Sequence, residues 1–330
     1  MTASRTSGHH RSFILRKDPF LEVEVQRLGV RVGELALSSP VLPASGCFGP
    51  ELAPLVDVSR LGGVVTKTVF AAVRSGNPAH RLAEVRDGML NSVGIPSLGV
   101  ARWRAEAWPA YASLGVPVVV SLGGLAEADY RRVAEEVADL PLAAVELNLS
   151  CPNLEAGGVE LGADAHAVER VVADVRSALS VPVFAKLTPN VASMAELARG
   201  AAAGGAAAVV VANTYVGMTI DIRTRRPVLG NAVGGWSGPA SKPLVLRQVW
   251  QVSRAVPLPV IGCGGVATAD DVVEYLLAGA SAVQVGTATF TRPQAMTDIL
   301  DDLLTVFDRL GVAAVAELVG QVEIPDTQAV

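Results

Sequence analysis

Cysteine is scarce in this sequence: Cys47, Cys151 and Cys263 are the only three, and no CxxC pair occurs. Three thiols so spaced cannot build a disulfide framework. They also cannot hold a structural zinc ion or an iron–sulfur cluster within the chain. A reducing cytoplasm is the matching compartment. Of four histidines, His9 and His10 sit in a polar N-terminal tail, leaving His80 and His166. A histidine triad or a multi-histidine metal site has little to work with, and no metal centre is expected. A basic excess is missing too: 27 Lys and Arg stand against 32 Asp and Glu, a formal charge of −5. Nucleic acid, which binds through neutralised phosphates, is therefore not an expected partner. Half the residues are hydrophobic and 18% are charged, which excludes a disordered chain, and the 32 glycines follow no G-X-Y period.

Long hydrophobic runs are equally rare. Residues 1–17 carry Arg5, Arg11, Arg16 and Lys17 without an acid, and their one apolar run, Phe13-Ile14-Leu15, is too short for a signal peptide. An organelle transit peptide shares that composition, but a disordered leader is the plainer expectation. One uncharged stretch, 200–220, is long enough to span a bilayer, yet Gly204-Gly205 and Asn213-Thr214 break it into a helix end, a turn and a β-branched run. No membrane association is expected.

What recurs instead is a short apolar run rich in Val and Ile. Eight such runs lie at 41–45, 63–67, 117–121, 144–148, 183–187, 208–212, 259–262 and 282–286. They are continuous rather than alternating, as strands buried on both faces are. Helical periodicity at 126–140, 163–179, 193–203 and 269–278 lies between them. Strand and helix in alternation mean parallel strands with right-handed crossovers, and eight repeats favour a closed (β/α)8 barrel. Residues 20–37 read as a two-stranded hairpin able to plug the barrel bottom. Residues 213–243, about 30 residues of Gly-rich chain after the sixth run, are an excursion on the face where barrels carry their sites.

Several runs end in polar groups: Ser45, Lys67, Ser121, Asn148, Lys186 and Asn213. Lysine is seldom buried unpaired, and two lysines converging with two asparagines suggest a pocket for an electron-rich or anionic ring. The last two runs lead into Gly262-Cys263-Gly264-Gly265 and Gly286-Thr287, with a helix start at Ala269-Asp270-Asp271. Glycine turns after strands 7 and 8 are where barrels cradle phosphate, so a phosphorylated cofactor is expected. No GxGxxG follows the first run, which argues against a Rossmann dinucleotide site. Cys151, just beyond the fourth run between Ser150 and Pro152, is a candidate nucleophile or base, whereas Cys47 and Cys263 read better as small buried hydrophobes.

In order, the segments PASGCFG (43–49), TKT (66–68), GNP (76–78), GMLNSVG (88–94), ELNLSCPN (146–153), KLTPNV (186–191), ANTYVGM (212–218), GGWSGPA (234–240), GCGGV and VGTATF resemble the class 1 dihydroorotate dehydrogenases, from about Val23 to Thr291. The resemblance implies one FMN-binding (β/α)8 barrel over 18–330 after a leader at 1–17. It implies oxidation of (S)-dihydroorotate to orotate in pyrimidine biosynthesis, with hydride transfer to FMN.

Residue by residue, the resemblance gives Cys151 the place of the base, where class 2 enzymes have Ser. Lys186 would lie by the flavin N1–C2=O edge, and Lys67 would touch flavin and substrate. Asn91 with Ser92, Val93, Gly94 and Ile95 would hold the orotate carboxylate and ring. Asn148, Asn153, Asn213 and Thr214 would bond the pyrimidine edge, with Asn148 also beside the flavin. Ser45, Thr68, Ala212 and Gly238 would line the flavin, and Gly264, Gly265, Gly286 and Thr287 would cradle its phosphate. Ser121 stands where the family often has Asn, a shorter contact to the flavin. Segment 213–240 resembles class 1B, which implies a homodimer joined by a second subunit carrying FAD and [2Fe–2S], in a heterotetramer that passes electrons to NAD. This chain's cysteines cannot hold that cluster. The alternatives are a fumarate-using class 1A enzyme, a related dihydropyrimidine flavoprotein, and a flavin-binding protein without turnover. The carboxylate-binding segment 91–94 argues against a uracil-type ligand.

Overall fold

A computed structural model describes residues 19–150 and 161–325 of the chain. The expected leader at 1–17, Cys151 and Asn153 lie outside the described residues. Eight parallel strands form one sheet: β1 (Val41–Pro43), β2 (Val64–Val65), β3 (Val118–Leu122), β4 (Ala144–Asn148), β5 (Val183–Lys186), β6 (Ala208–Val211), β7 (Val260–Cys263) and β8 (Ala280–Val285). Neighbours run in the order β1-β8-β7-β6-β5-β4-β3-β2. The remaining seam closes where the Gly62 N–H donates to the Val41 carbonyl at 3.0 Å. The result is a (β/α)8 barrel.

The strands are apolar throughout because both faces are covered. Along β4, Val145 and Leu147 point outward into the layer shared with the helices, while Ala144 points into the barrel. The helices Glu127–Val137, Ala165–Ala178, Met194–Ala203, Lys242–Ala255, Ala269–Leu277 and Ala295–Leu310 follow β3 to β8. Their starts are capped as polar side chains allow: Asp164 accepts the His166 N–H at 3.0 Å, and Thr268 with Asp271 forms a capping box. β1 is followed only by the short 3-10 turns Pro50–Leu55 and Val58–Arg60.

The 20–37 expectation needs correction in its first half. Pro19–Leu28 is a helix, and only Val30–Val32 and Leu35–Leu37 form the hairpin. The alternation of Leu, Val and Glu there suggests a strand, but tertiary contacts decide otherwise. Leu28 is fully buried, and Glu24, one helical turn earlier, pairs with Arg60 at 2.8 Å. The hairpin does plug the barrel: Val32 and Leu37 pack with Leu42, Val65, Phe184 and Ile261 in its interior. The uncharged 200–220 stretch breaks as expected, into a helix end, a turn, β6 and the strand Tyr215–Gly217. No helix among the described residues is long and apolar enough to cross a membrane.

Two excursions build a second, smaller layer beyond the strand ends. Leu82–Val85 and Gly88–Asn91, after β2, form a hairpin. Tyr215–Gly217 and Gly234–Ser237, from the insertion after β6, extend it into a four-stranded antiparallel sheet, with Asn91 opposite Gly235 and Leu90 opposite Trp236. Ala83, Leu90 and Leu229 form its own small core.

Candidate active site

The polar run ends converge. In β4, side chains alternate, so Ala144, Glu146 and Asn148 share the interior face, and the register sets Asn148 beside Lys186 and Glu146 beside Ser121. At the rim, Ser45 Oγ donates to the Thr66 carbonyl at 3.0 Å and lies 3.2 Å from Thr68 Oγ1. Thr68 Oγ1 is 3.0 Å from Ser121 Oγ and accepts from Asn148 Nδ2 at 3.2 Å. Asn148 Oδ1 accepts in turn from Asn213 Nδ2 at 3.1 Å, and Asn213 Oδ1 from the Thr214 N–H at 2.8 Å. One chain of hydrogen bonds thus links the ends of β1, β2, β3, β4 and β6. Behind it, the buried Tyr130 hydroxyl donates to the Asn148 carbonyl at 2.8 Å, fixing the strand end that leads to Cys151.

Lys186, the last residue of β5 and beside Asn148 in the register, is almost wholly buried. Its ammonium donates to Gln284 Oε1 at 2.8 Å and to Cys263 Sγ at 3.5 Å. Gln284 Nε2 donates to Glu146 Oε2 at 2.5 Å, and Glu146 Oε1 lies 3.8 Å from the ammonium. Burial alone would depress the Lys186 pKa, but Cys263 and Glu146 outweigh it and hold it above the ordinary value. Cys263 is the buried interior residue expected, with its thiol pushed up by burial. Glu146 and Gln284 escape a reading that weighs only run ends. Their signal is a polar residue inside an apolar run, on the face shared with Asn148 and Lys186.

Lys67 is exposed at the mouth, and partial burial of its ammonium together with neighbouring Arg81 lowers its pKa. The segment Asn91–Ile95 lies in the small sheet and the loop after it. Asn91 Nδ2 donates to the Gly235 carbonyl at 3.3 Å, and Gly235 also packs on Thr214, so Asn91 and Thr214 come together. Asn77 braces the segment, donating to Ser92 Oγ at 2.8 Å and, through its N–H, to the Val93 carbonyl at 3.1 Å. Arg74 reaches the Gly94 carbonyl at 3.4 Å. Asn190 anchors the insertion: its Oδ1 accepts the Val216 N–H at 2.9 Å and its Nδ2 donates to the Thr214 carbonyl at 3.2 Å. Asn77, Arg74 and Asn190 had no signal in run-end reasoning, because they act by bracing backbone.

After β7, Gly265 meets Gly238, while Gly286 after β8 faces Ala44 and Cys47. Gly264 and Gly265 have φ of +148° and +70°, and a Cβ on Gly265 would lie 2.7 Å from Lys242 Cβ and 3.0 Å from the Gly238 carbonyl. Only glycine leaves this backbone bare, and bare N–H groups beside a helix start suit a phosphate. Thr287, next to Gly286, donates to Ser237 Oγ at 2.8 Å, tying β8 to the insertion. Ala212, buried, donates its N–H to the Cys263 carbonyl at 2.9 Å between the two regions. A buried cation, a polar rim and a glycine cradle that a side chain would fill together suit a phosphorylated flavin.

The family model described as "Dihydroorotate dehydrogenase" matches residues 27–307. A protein of Alkaliphilus oremlandii is 42% identical over 90% of this chain and 99% of its own. Another, of Geotalea uraniireducens, is 43% identical over 89% of this chain and 97% of its own, and one of Halalkalibacterium halodurans is 40% identical over 90% and 98%. Each is named dihydroorotate dehydrogenase B (NAD(+)), catalytic subunit. With the barrel, the converging rim and the glycine cradle, these matches show that the chain belongs to the dihydroorotate dehydrogenase family.

Proposed function

We propose that the barrel mouth holds FMN and that the chain passes the electrons of dihydroorotate onward to NAD through a separate iron–sulfur flavoprotein subunit. The chain is a dihydroorotate dehydrogenase, an oxidoreductase of pyrimidine biosynthesis whose family depends on a flavin. The observation that carries the FMN reading is the buried Lys186 ammonium at the C-terminal end of β5, the barrel end from which the glycine turns after β7 and β8 also rise. Gly264, Gly265, Gly286, Thr287 and Gly238 would hold the phosphate, and Ser45, Thr68, Ser121 and Ala212 would line the ring. FMN bound there would supply the redox chemistry, as acceptor for the hydride at C6 of dihydroorotate.

The chain's own residues do the rest. Cys151, three residues after Asn148 in the sequence, takes the proton from C5 as general base. Asn148 and Asn213, already joined by a hydrogen bond, present amide donors and acceptors to the pyrimidine edge with Asn153 and Thr214. Lys67, Asn91 and the segment Ser92–Ile95 hold the carboxylate. Lys186 keeps a positive charge where negative charge collects.

The relatives' names give the acceptor as NAD(+) and the chain as one subunit among others, which favours this route over fumarate. A homodimeric catalytic core in the cytoplasm is the matching assembly. The purified chain should be yellow, release FMN on acid extraction, and reduce an artificial dye while using NAD poorly until the second subunit is added. Release of FAD would sink the cofactor reading. NAD reduction by the isolated chain at the dye's rate would sink the two-subunit route, and vigorous fumarate reduction would favour a class 1A enzyme.

A further inference from the structure

The dry interior of a barrel is a costly place for charge, yet Glu146 of β4, Lys186 of β5 and Gln284 of β8 meet there, each nearly or wholly buried. Desolvating an ion costs several kcal/mol, and an apolar trio of similar volume would fill the same layer. The order of the three is dictated by their chemistry. Lysine offers only donors and carboxylate only acceptors, so the amide between them must turn its carbonyl to Lys186 and its NH2 to Glu146. That is the arrangement found, at 2.8 and 2.5 Å. The second carboxylate oxygen, buried and without a hydrogen bond, faces the ammonium at 3.8 Å.

We propose that Glu146 and Gln284 are positioning residues, the carboxylate acting through the amide to fix the Lys186 ammonium below the mouth and keep it charged, so that the flavin edge always meets a cation. The inference rests on the FMN reading above. The other groups facing the ammonium are Cys263 of β7 and Cys47 in the loop after β1. Burial raises both thiols, Cys47 to about 12. Of the groups that face the ammonium among the described residues, Glu146 is the carboxylate, at 3.8 Å.

The test uses flavin-free and flavin-loaded protein. With 13C-labelled lysine, the Lys186 signal, assigned by its loss in Lys186→Met, reports the ammonium titration without any flavin. Glu146→Gln keeps the volume and removes the charge. It should strengthen Lys186 as an acid by roughly tenfold or more. Gln284→Met, which breaks the relay but leaves the carboxylate, should shift the titration the same way by less and covers the case in which Glu146→Gln does not fold. In loaded protein, at a pH above the shifted Lys186 titration, Glu146→Gln should make flavin reduction less favourable by about tenfold, or about 30 mV for two electrons. It should add nothing in a Lys186→Met background. Lys186 titrating within about twofold of wild type in both variants overturns the proposal, as does an equal shift in potential with Lys186 absent. A preparation that binds no flavin overturns the FMN reading instead, while the flavin-free titration still decides the relay.

Discussion

Thr68 Oγ1 accepts a hydrogen bond from Asn148 Nδ2 at 3.2 Å, joining strand ends that are 80 residues apart in the chain. Thr68 also touches Ser45 and Ser121, so one hydroxyl is the hub of three contacts at the barrel rim. Thr68→Val keeps the shape and leaves the buried Asn148 amide a partner short. The expected cost is about 1–3 kcal/mol in stability, with a raised KM for dihydroorotate as Asn148 loses its fixed orientation. Urea unfolding and steady-state kinetics check the two halves, and an unchanged KM would show that Asn148 does not face the substrate.

Cys151→Ser should slow flavin reduction by dihydroorotate by a factor on the order of 10²–10⁴ at neutral pH and leave FMN bound. A hydroxyl is a far weaker acid than a thiol and a poor unassisted base. Stopped-flow bleaching of the flavin measures it; a rate within about threefold of wild type removes Cys151 from the role.

Lys67 has its pKa lowered by partial burial and by Arg81, so it sheds its proton below the ordinary lysine range. Its charged form is the one that attracts a carboxylate. In the free enzyme, kcat/KM for dihydroorotate should therefore fall as pH rises through that depressed value. Lys67→Met should abolish this alkaline limb and raise KM. A limb that survives the substitution belongs to another group.

Asp271 supports the β7 turn from the first turn of its helix. It accepts the Ala267 and Thr268 N–H groups at 2.9 Å each and pairs with Lys242 at 2.6 Å. Burial would raise its carboxyl, but Lys242 and the backbone donors more than offset that and hold it low. A carboxyl held lower in the folded than in the unfolded state stabilises above its unfolded value. That stability is lost as pH falls through the folded one. Unfolding free energy should thus decline below about pH 4, and Asp271→Asn should flatten this limb at a cost of about 1–3 kcal/mol near neutrality. Denaturation midpoints measured across pH 3–7 decide it.

The barrel was legible because strands buried on both faces read as unbroken apolar runs. Ala144–Asn148 falls where expected to the residue, and the others shift by a few positions at their ends. Residues 19–28 were not, since period-two alternation in that segment yields to contacts made with Arg60, far along the chain. The rim was legible through polar residues at run ends. Glu146 and Gln284 were hidden because a charge inside a strand has meaning only once the strand's partners are known. The small sheet was hidden for a related reason: Gly88–Asn91 and Gly234–Ser237 carry little apolar signal of their own and are stabilised mainly by each other.

That pairing bears on how the molecule comes into being. The Asn91 amide finds its partner, Gly235, 144 residues later in the chain. Contacts of such long range form only after a large loop-closure cost has been met, and they slow folding. A chain emerging from the ribosome holds all of β1 to β6 before it owns the strand that seats Asn91. The carboxylate site proposed around Asn91 is therefore incomplete until Gly235 has been made, and a fragment ending before residue 234 would contain Lys67, Asn148 and Lys186 without the strand against which Asn91 is set.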